Sequence, residues 1–515
     1  MNKNLFASTR RAALPATQTV NAAGAPAYAT SAEHALAQYA ATGCLTQTYY
    51  ASAELQLETV LSLAAACSPR FVAQVALWSR GKGHMKDLPA LLMAYLTVAD
   101  PALAERVFHR VIDDLKLLRN FVQVVRSGVV ARRSLASLPK RLVQAALARR
   151  SVDELFRGSV GQDPSLGDVI KLAHPRPDTR ERAALYGYLT GRPYDVAALP
   201  ELVQAYEAWL RQPHEAAPPL PFTLLASQVS GRAAWSQIAQ RASWTETRMN
   251  LNTFARHGVF ESRSMVQMVA AKLWDRAAIE RARVLPYQLL TTYKHLDPSV
   301  PAAVVQALEA AMEIALENVP CLDGKVYVCP DVSGSMSQPV TGHRPGATTK
   351  ARCIDVAGLV AAAMLRVCDA EVLPFEHGVV ELALSARQSV LENAAKLASV
   401  GGGGTCISAP LSKLNASKAR GALVVLVSDN ESWVGARSGA TPLMLEWAEF
   451  RRRNPGAKLV CLDVVPNRTT QAVDDDSVLN IGGFSDVVFE LIAGFAKGRS
   501  RDHWVDTIAK TDLDN

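Results

Sequence analysis

Residues 325–336 read KVYVCPDVSGSM, and the fold turns on that stretch. A short β-branched run, Lys325 to Cys329, passes through Pro330 straight into Asp331-Val332-Ser333-Gly334-Ser335. Two more runs of this kind follow, Leu423 to Val427 and Leu459 to Val465. Helical stretches at about 352–368, 406–415, 441–453 and 486–498 alternate with them. Near-continuous apolar strands need cover on both faces, and intervening helices supply it. The spacing therefore predicts a parallel-dominated α/β sheet from about residue 324. Ligands of such sheets gather beyond the carboxyl ends of the strands.

Those strand ends carry the chemistry. Asp331 with hydroxyls at i+2 and i+4 offers three hard oxygen donors on one tight loop. Gly401-Gly402-Gly403-Gly404-Thr405 adds a hydroxyl after a glycine run, and Val427-Ser428-Asp429 adds a carboxylate at another strand end. Hard oxygens suit Mg²⁺, with Mn²⁺ or Ca²⁺ also compatible. Rival readings lack their parts. An Asp-x-Asp phosphatase needs Asp where Ser333 stands, a nucleophile elbow needs Gly-x-Ser-x-Gly, and the glycine run lacks the Lys-Ser/Thr of a P-loop. His343 and His377 stand alone and are expected to be structural or solvated. The expected role is binding without catalysis; a magnesium-dependent hydrolase would need a base or nucleophile that the pattern does not position.

Before residue 320 the rhythm is different. LPALLMAYL (Leu88–Leu96), RLVQAALA (Arg141–Ala148) and Val304–Leu316 have helical apolar spacing. Pro69, Pro101, Pro139, Pro286 and Pro301 stand where helices can begin, and Gly81, Gly128, Gly158, Gly191 and Gly258 where they can end. Short helices in succession, with little strand character before 324 and no exact period, predict an irregular solenoid of helical pairs. Trp235, Trp244 and Trp274 sit at helical spacing and are expected in its core.

Composition bounds the rest. With 49% hydrophobic and 20% charged residues over 515 positions, the chain is neither collagenous nor largely disordered. No apolar run approaches the ~18 residues of a membrane span, so no membrane partner is expected. Eight cysteines make no Cys-x-x-Cys pair, which excludes a zinc ribbon or thioredoxin-like motif. The first 30 residues carry Arg10 and Arg11 among Ala, Ser and Thr but lack an apolar signal core, so a cytoplasmic location is expected. The net charge of +7 is unevenly placed. Residues 321–515 hold 20 Lys+Arg against 22 Asp+Glu, leaving 35 against 26 for residues 1–320. An excess confined to the helical part invites a polyanionic partner.

The set Asp331, Ser333, Ser335, Thr405 and Asp429 resembles the metal-ion-dependent adhesion site of von Willebrand factor A-type domains, whose motif is Asp-x-Ser-x-Ser, then Thr, then Asp. Ser428-Asp429-Asn430-Glu431-Ser432-Trp433 and Asp474-Asp475-Asp476 leading to Ile481-Gly482-Gly483-Phe484 are similar to the A domain of the Ro autoantigen family. In the helical part, Ala40-Ala41-Thr42-Gly43 with Thr48-Tyr49-Tyr50, Asp168 to Pro175 (DVIKLAHP), Leu251 to Arg256 (LNTFAR) and Leu285-Pro286-Tyr287 resemble the same family, so the likeness spans roughly 20–500. It implies a HEAT-like α-helical repeat ring, the TROVE domain, followed by a Rossmann-like A-type α/β domain. The expected division is a flexible segment 1–20, the helical ring 21–320, the A domain 321–505 and a tail 506–515.

The resemblance also implies partners: a small noncoding Y-like RNA on a basic outer surface, misfolded RNA with a single-stranded 3′ end in the ring, a 3′ exoribonuclease recruited through the RNA, and a monomeric protein. Local reading supplies candidate RNA contacts. Arg132, Arg133, Lys140 and Arg141 cluster at one helix start, and Lys171, His174, Arg176 and Arg180 at another. Arginine forks match phosphate oxygens, and histidine stacks on bases or donates to phosphate. His174 falls on the family's RNA-contacting histidine, although its Ala-His-Pro-Arg-Pro setting departs from the animal relatives. Arg451-Arg452-Arg453 reads as a solvated helix face. The alternative is a metal-dependent protein-adhesion scaffold whose solenoid binds a protein.

Overall fold

A computed structural model describes residues 14–514 except 43–44, 162, 212–219, 222–223, 226–228, 230, 283, 285, 342–349, 434–438, 474, 484–486 and 499–503. Arg10, Arg11, Gly43, Cys44, Leu285, His343, Asp474 and Phe484 lie outside the described residues.

The described residues form eight strands. In chain order they are β1 (Thr19–Val20), β2 (Pro26–Ala29), β3 (Val326–Pro330), β4 (Ala370–Val372), β5 (Leu423–Ser428), β6 (Lys458–Asp463), β7 (Thr469–Thr470) and β8 (Val478–Gly482). The main sheet has the order β4-β3-β5-β6-β8 and every pairing in it is parallel. β3 and β5 are buried along their whole length. Alternate residues serve opposite faces, as a two-residue side-chain period requires. Val326 and Val328 join the core that contains helices Cys353–Val367 and Val390–Leu397. Tyr327 and Cys329 join the one that contains Ala409–Ala416 and Pro442–Arg453. From β3 the chain crosses first to β4 on one side and then back to β5 on the other, which makes the β3/β5 carboxyl ends the topological switch point.

The helical part runs from Ala32–Thr42 to Ala302–Ala315. Its punctuation follows the expected chemistry. Pro69 and Pro101 occupy the first turns of Pro69–Gly81 and Pro101–Val111, capped by Ser68 and Asp100. Gly128 and Gly191 end their helices in the left-handed conformation, at φ 93° and 68°. Trp235 and Trp244 are in the core as expected, whereas Trp274 stands 65% exposed, because it caps Arg263–Leu273 past that helix's last core turn.

Both ends of this array rest on the sheet domain. At one end, helix Ala32–Thr42 lies against β8, and Gln38 donates to the Asp463 carboxylate at 3.2 Å. At the other, helices Pro286–Lys294 and Ala302–Ala315 lie against Cys353–Val367 and Val390–Leu397. There Lys294 pairs with the buried Asp355, Arg366 reaches Glu313 at 3.1 Å, and the Lys350 N–H donates to His295 at 2.9 Å. One connected apolar core runs from Ala35 through the helices into the A domain, so the array closes on the domain that follows it.

The chain ends differ from expectation. Residues 14–29 do not hang free: Thr17 donates to the Gly439 carbonyl, β1 pairs with β2, and β2 pairs with β7, giving strands before residue 324 and placing the 21–29 segment on the A domain. Short exposed edges invite such pairing. The last segment is not a tail either. Helix Trp504–Ala509 buries Trp504, Val505 and Ile508 against Ala32–Thr42 and Pro69–Gly81, and Arg110 donates to the Asp512 carbonyl at 2.8 Å.

Candidate metal centre and basic surface

Asp331 leaves β3 and Asp429 leaves β5, neighbouring parallel strands paired in register from Val326↔Leu423 onward, so their carboxylates face each other across the switch point. Three loops are knitted together there. The Gly334 N–H donates to the Gly403 carbonyl at 2.9 Å, the Gly402 N–H to the Val332 carbonyl at 2.9 Å, and the Trp433 N–H to the Thr405 carbonyl at 3.2 Å. Gly401 is required: its φ is +89°, and a Cβ there would overlap the Val332 carbonyl. The structure thus joins the loops that carry Asp331, Ser333, Ser335, Thr405 and Asp429, and all five residues are buried.

The Ser333 N–H donates to Asp331 Oδ1 at 2.8 Å, Ser428 Oγ donates to Asp331 Oδ2 at 2.6 Å, and the Ser333 and Ser335 hydroxyls lie 3.4 Å apart. Asp429 Oδ2 is fully buried and has no hydrogen-bond partner among the described residues. Burial, then the facing Asp429, holds the Asp331 carboxyl above the ordinary carboxylate range, and burial does the same to Asp429. Two buried like charges with an orphaned oxygen need a cation or protons. Hard oxygens alone fit Mg²⁺, Mn²⁺ or Ca²⁺. The residues present fit the group.

Three participants escaped the sequence reading. Ser428 hydrogen-bonds Asp331 directly. Glu431, buried two residues beyond Asp429 and pushed up to about 8 by burial and then by that neighbour, accepts the Ala23 N–H at 3.2 Å. Tyr50, from the helical part, lies close enough to Ser335 and Asp429 for both to act on its phenol. His377 is structural as expected: its Nε2 accepts the Gly404 N–H at 3.0 Å and so supports the loop that carries Thr405.

The basic residues separate into free and engaged groups. Gln144, one turn beyond Lys140 and Arg141 on helix Ser137–Ala148, donates to the carbonyls of Ala173 (2.8 Å) and His174 (3.3 Å). This contact carries Lys140 and Arg141 to the end of helix Leu166–Ala173, where Lys171 and His174 are exposed and His174 caps the helix at φ 51°. Arg126, absent from the sequence prediction, joins them, its charge acting on Asp168 alongside that of Lys171. Arg141 also reaches Glu105 at 2.9 Å, Arg180 pairs with Asp195, and Arg132 donates to the Thr97 carbonyl at 3.3 Å. Arg133 packs across Gly128, and Arg176 is exposed.

Residues 325–496 match the family model described as the Ro60 vWA domain. The chain is 25% identical over 520 residues to the "RNA-binding protein RO60" of Deinococcus radiodurans, covering 93% of this chain and 96% of that protein. The chain thus resembles Ro proteins over nearly its whole length. Its fold agrees with the crystal structure of the Ro (RSR) protein of Deinococcus radiodurans at a TM-score of 0.63 and 23% identity, covering 91% of this chain and 100% of that one.

Elsewhere on the chain the run Arg451-Arg452-Arg453 is partly engaged within its own helix, where Arg452 and Arg453 both pair with Glu449 at 2.6 and 3.0 Å. Cys67, Cys329, Cys353 and Cys461 are buried, as small apolar side chains are. Among the described residues no helix is long and apolar enough to cross a membrane.

Proposed function

We propose that this chain is an RNA-binding protein that holds structured, Y-like noncoding RNA on its basic outer surface. In this reading it also admits the single-stranded 3′ ends of misfolded RNA into the closed helical array. The cluster of the exposed Arg126, Arg141, Lys171 and His174 with the half-buried Lys140 carries the reading. Phosphate contacts provide most non-specific affinity for nucleic acid, and A-form helices are read by shape and backbone. The name of the Deinococcus relative points the same way. The protein works as a cytoplasmic monomer without catalysis of its own, and a 3′ exoribonuclease reaches the cargo through the RNA.

Asp331, Ser333, Ser335, Thr405 and Asp429 would hold a divalent cation, Mg²⁺ by donor chemistry, which supplies positive charge between two buried carboxylates. The residues around it do the positioning: Ser428 orients Asp331, His377 props the Gly404 turn, and Gly401 permits the close loop approach.

The test is a titration against a blunt RNA duplex and the same duplex with a single-stranded 3′ tail, at three salt concentrations. Tighter binding of the tailed RNA is expected, with a steep salt slope. That slope should fall by about one unit for each phosphate partner removed in Lys171→Glu/His174→Ala. Absence of binding to either RNA at low salt would reject the reading in favour of a protein-binding scaffold.

A further inference from the structure

Two stretches on either side of helix Ala32–Thr42, residues 19–29 and 46–51, are anchored to the loops that flank the cation site. On the Asp429 side, Asn21 donates its amide to the Ser432 carbonyl at 2.9 Å, and the Ala23 N–H donates to the Glu431 carboxylate at 3.2 Å. On the Asp331 side, the Tyr49 N–H donates to Gln338 Oε1 at 2.6 Å, and Thr46 Oγ1 donates to the Thr341 carbonyl. Gln338 is itself buried, and it caps the 3₁₀ turn Gly334–Ser337 that carries Ser335. Between these anchors the half-buried Tyr50 lies close enough to Ser335 and Asp429 for both to act on its phenol. Tyr49 packs edge-on against it, with ring centroids 4.8 Å apart, and its own ring stands in solvent.

We propose that Tyr50 is a positioning residue of the cation site, and that cation binding latches residues 19–29 and 46–51 onto the A domain. The inference rests on the cation reading given above. Its physical basis is shared partners. A divalent cation drawn in by the orphaned Asp429 Oδ2 also fixes Ser335, and these two residues are the ones that act on the nearby Tyr50 phenol. Fixing them fixes the loop ends, Gln338 on one side and Glu431-Ser432 on the other, that receive the strap's hydrogen bonds. Coupling of this kind is reciprocal: whatever the cation adds to strap seating, the seated strap adds to cation affinity. The pocket is then an intramolecular clasp between the start of the chain and the sheet, and an external oxygen ligand has to displace Tyr50 to reach it.

Two readouts on the full-length protein test this: Mn²⁺ titration followed by the electron paramagnetic resonance signal of the free ion, and amide hydrogen exchange with and without Mn²⁺. In the wild type, Mn²⁺ is expected to slow exchange in peptides covering 19–29 and 46–51. Tyr50→Phe is expected to weaken Mn²⁺ binding about 10-fold, the loss typical of a residue that orients a metal ligand, and to reduce that protection. Tyr49→Phe, which keeps the backbone bond to Gln338, should do neither. Wild-type Mn²⁺ binding with unchanged affinity in Tyr50→Phe and no strap protection would overturn the clasp while leaving the cation site intact. Failure of the wild type to bind Mn²⁺ would overturn the cation reading itself, and the clasp with it.

Discussion

Replacing Asp331 by Asn should stabilise the cation-free protein at alkaline pH and deprive it of stabilisation by Mg²⁺. The Asp331 carboxyl is fully buried, faces Asp429 and is held at about 7, roughly three units above its ordinary value. The folded state therefore binds this proton more tightly than the unfolded chain does. Stability is full below the unfolded value near 4 and falls as pH rises toward 7. At about 1.4 kcal/mol per unit the loss at pH 8 is on the order of 4 kcal/mol. Asn removes that charge but keeps one acceptor where Asp331 takes the Ser333 N–H at 2.8 Å and the Ser428 hydroxyl at 2.6 Å, a loss of about 1–2 kcal/mol. The net expectation in EDTA at pH 8 is a variant about 2 kcal/mol more stable than wild type, with the gap closing or reversing at pH 4–5. Saturating Mg²⁺ should invert the order, because ligand at 100 times its Kd adds about 2.7 kcal/mol to the wild type alone. Thermal unfolding at the two pH values, with and without Mg²⁺, reads all four corners. A variant less stable than wild type in EDTA at pH 8, by a margin that does not change with pH, would refute the idea that the two carboxylates are in conflict.

The other expectations concern the scaffold. Gly401→Ala should lower Mg²⁺ affinity and cost a few kcal/mol in thermal unfolding, since the φ of +89° and the Val332 carbonyl leave no room for a methyl group. Lys294→Ala removes the helical array's partner from Asp355, which is 2% exposed at its side chain and, among the described residues, keeps Arg352 at 3.2 Å as its ion-pair partner; urea unfolding should show a loss of about 1–3 kcal/mol. Trp504→Ala removes a buried ring set edge-on to His34 at 5.9 Å and Trp78 at 6.1 Å, and should cost about 3–5 kcal/mol while freeing the C-terminal helix to amide exchange. Unchanged stability in either of the last two would mean that those contacts do not hold the chain ends to the array.

What could be read in advance followed from local rules. The runs 325–329, 423–427 and 459–465 became β3, β5 and β6 because uninterrupted β-branched residues have few alternatives once helices flank them. The two strands of the main sheet that were not predicted show why the rule has limits. β4 is only three residues long with Glu371 at its centre, and β8 carries Asn480, whose amide is satisfied by the Ala472 carbonyl at 2.9 Å and by Thr470 at 2.8 Å. An apolar-pattern search passes over a buried Asn that a neighbouring turn has satisfied. The pocket was legible because Asp-x-Ser-x-Ser is a local arrangement at a strand end, and only the sheet's crossing order is needed to bring Thr405 and Asp429 to it.

The contributions that were illegible come from far away in the sequence. Tyr50 meets Ser335 across 285 positions and Gln38 meets Asp463 across 425, and no periodicity or spacing encodes such a meeting. Both depend on the helical array returning to the domain it leaves, which is set by the accumulated rotation of many helix pairs. A hint was nonetheless present. Thr48-Tyr49-Tyr50 places two adjacent aromatics where no helix can bury both, and the structure uses one ring inward at the pocket and leaves the other 62% exposed. Gly482-Gly483 carries a related message. A Cβ on Gly483 would press on the Ala41 backbone at 2.9 Å, so this pair marks where another element of the chain must come close. Adjacent aromatics outside a helical stripe, and glycine pairs at a strand end, therefore mark the seams where distant parts of this chain meet.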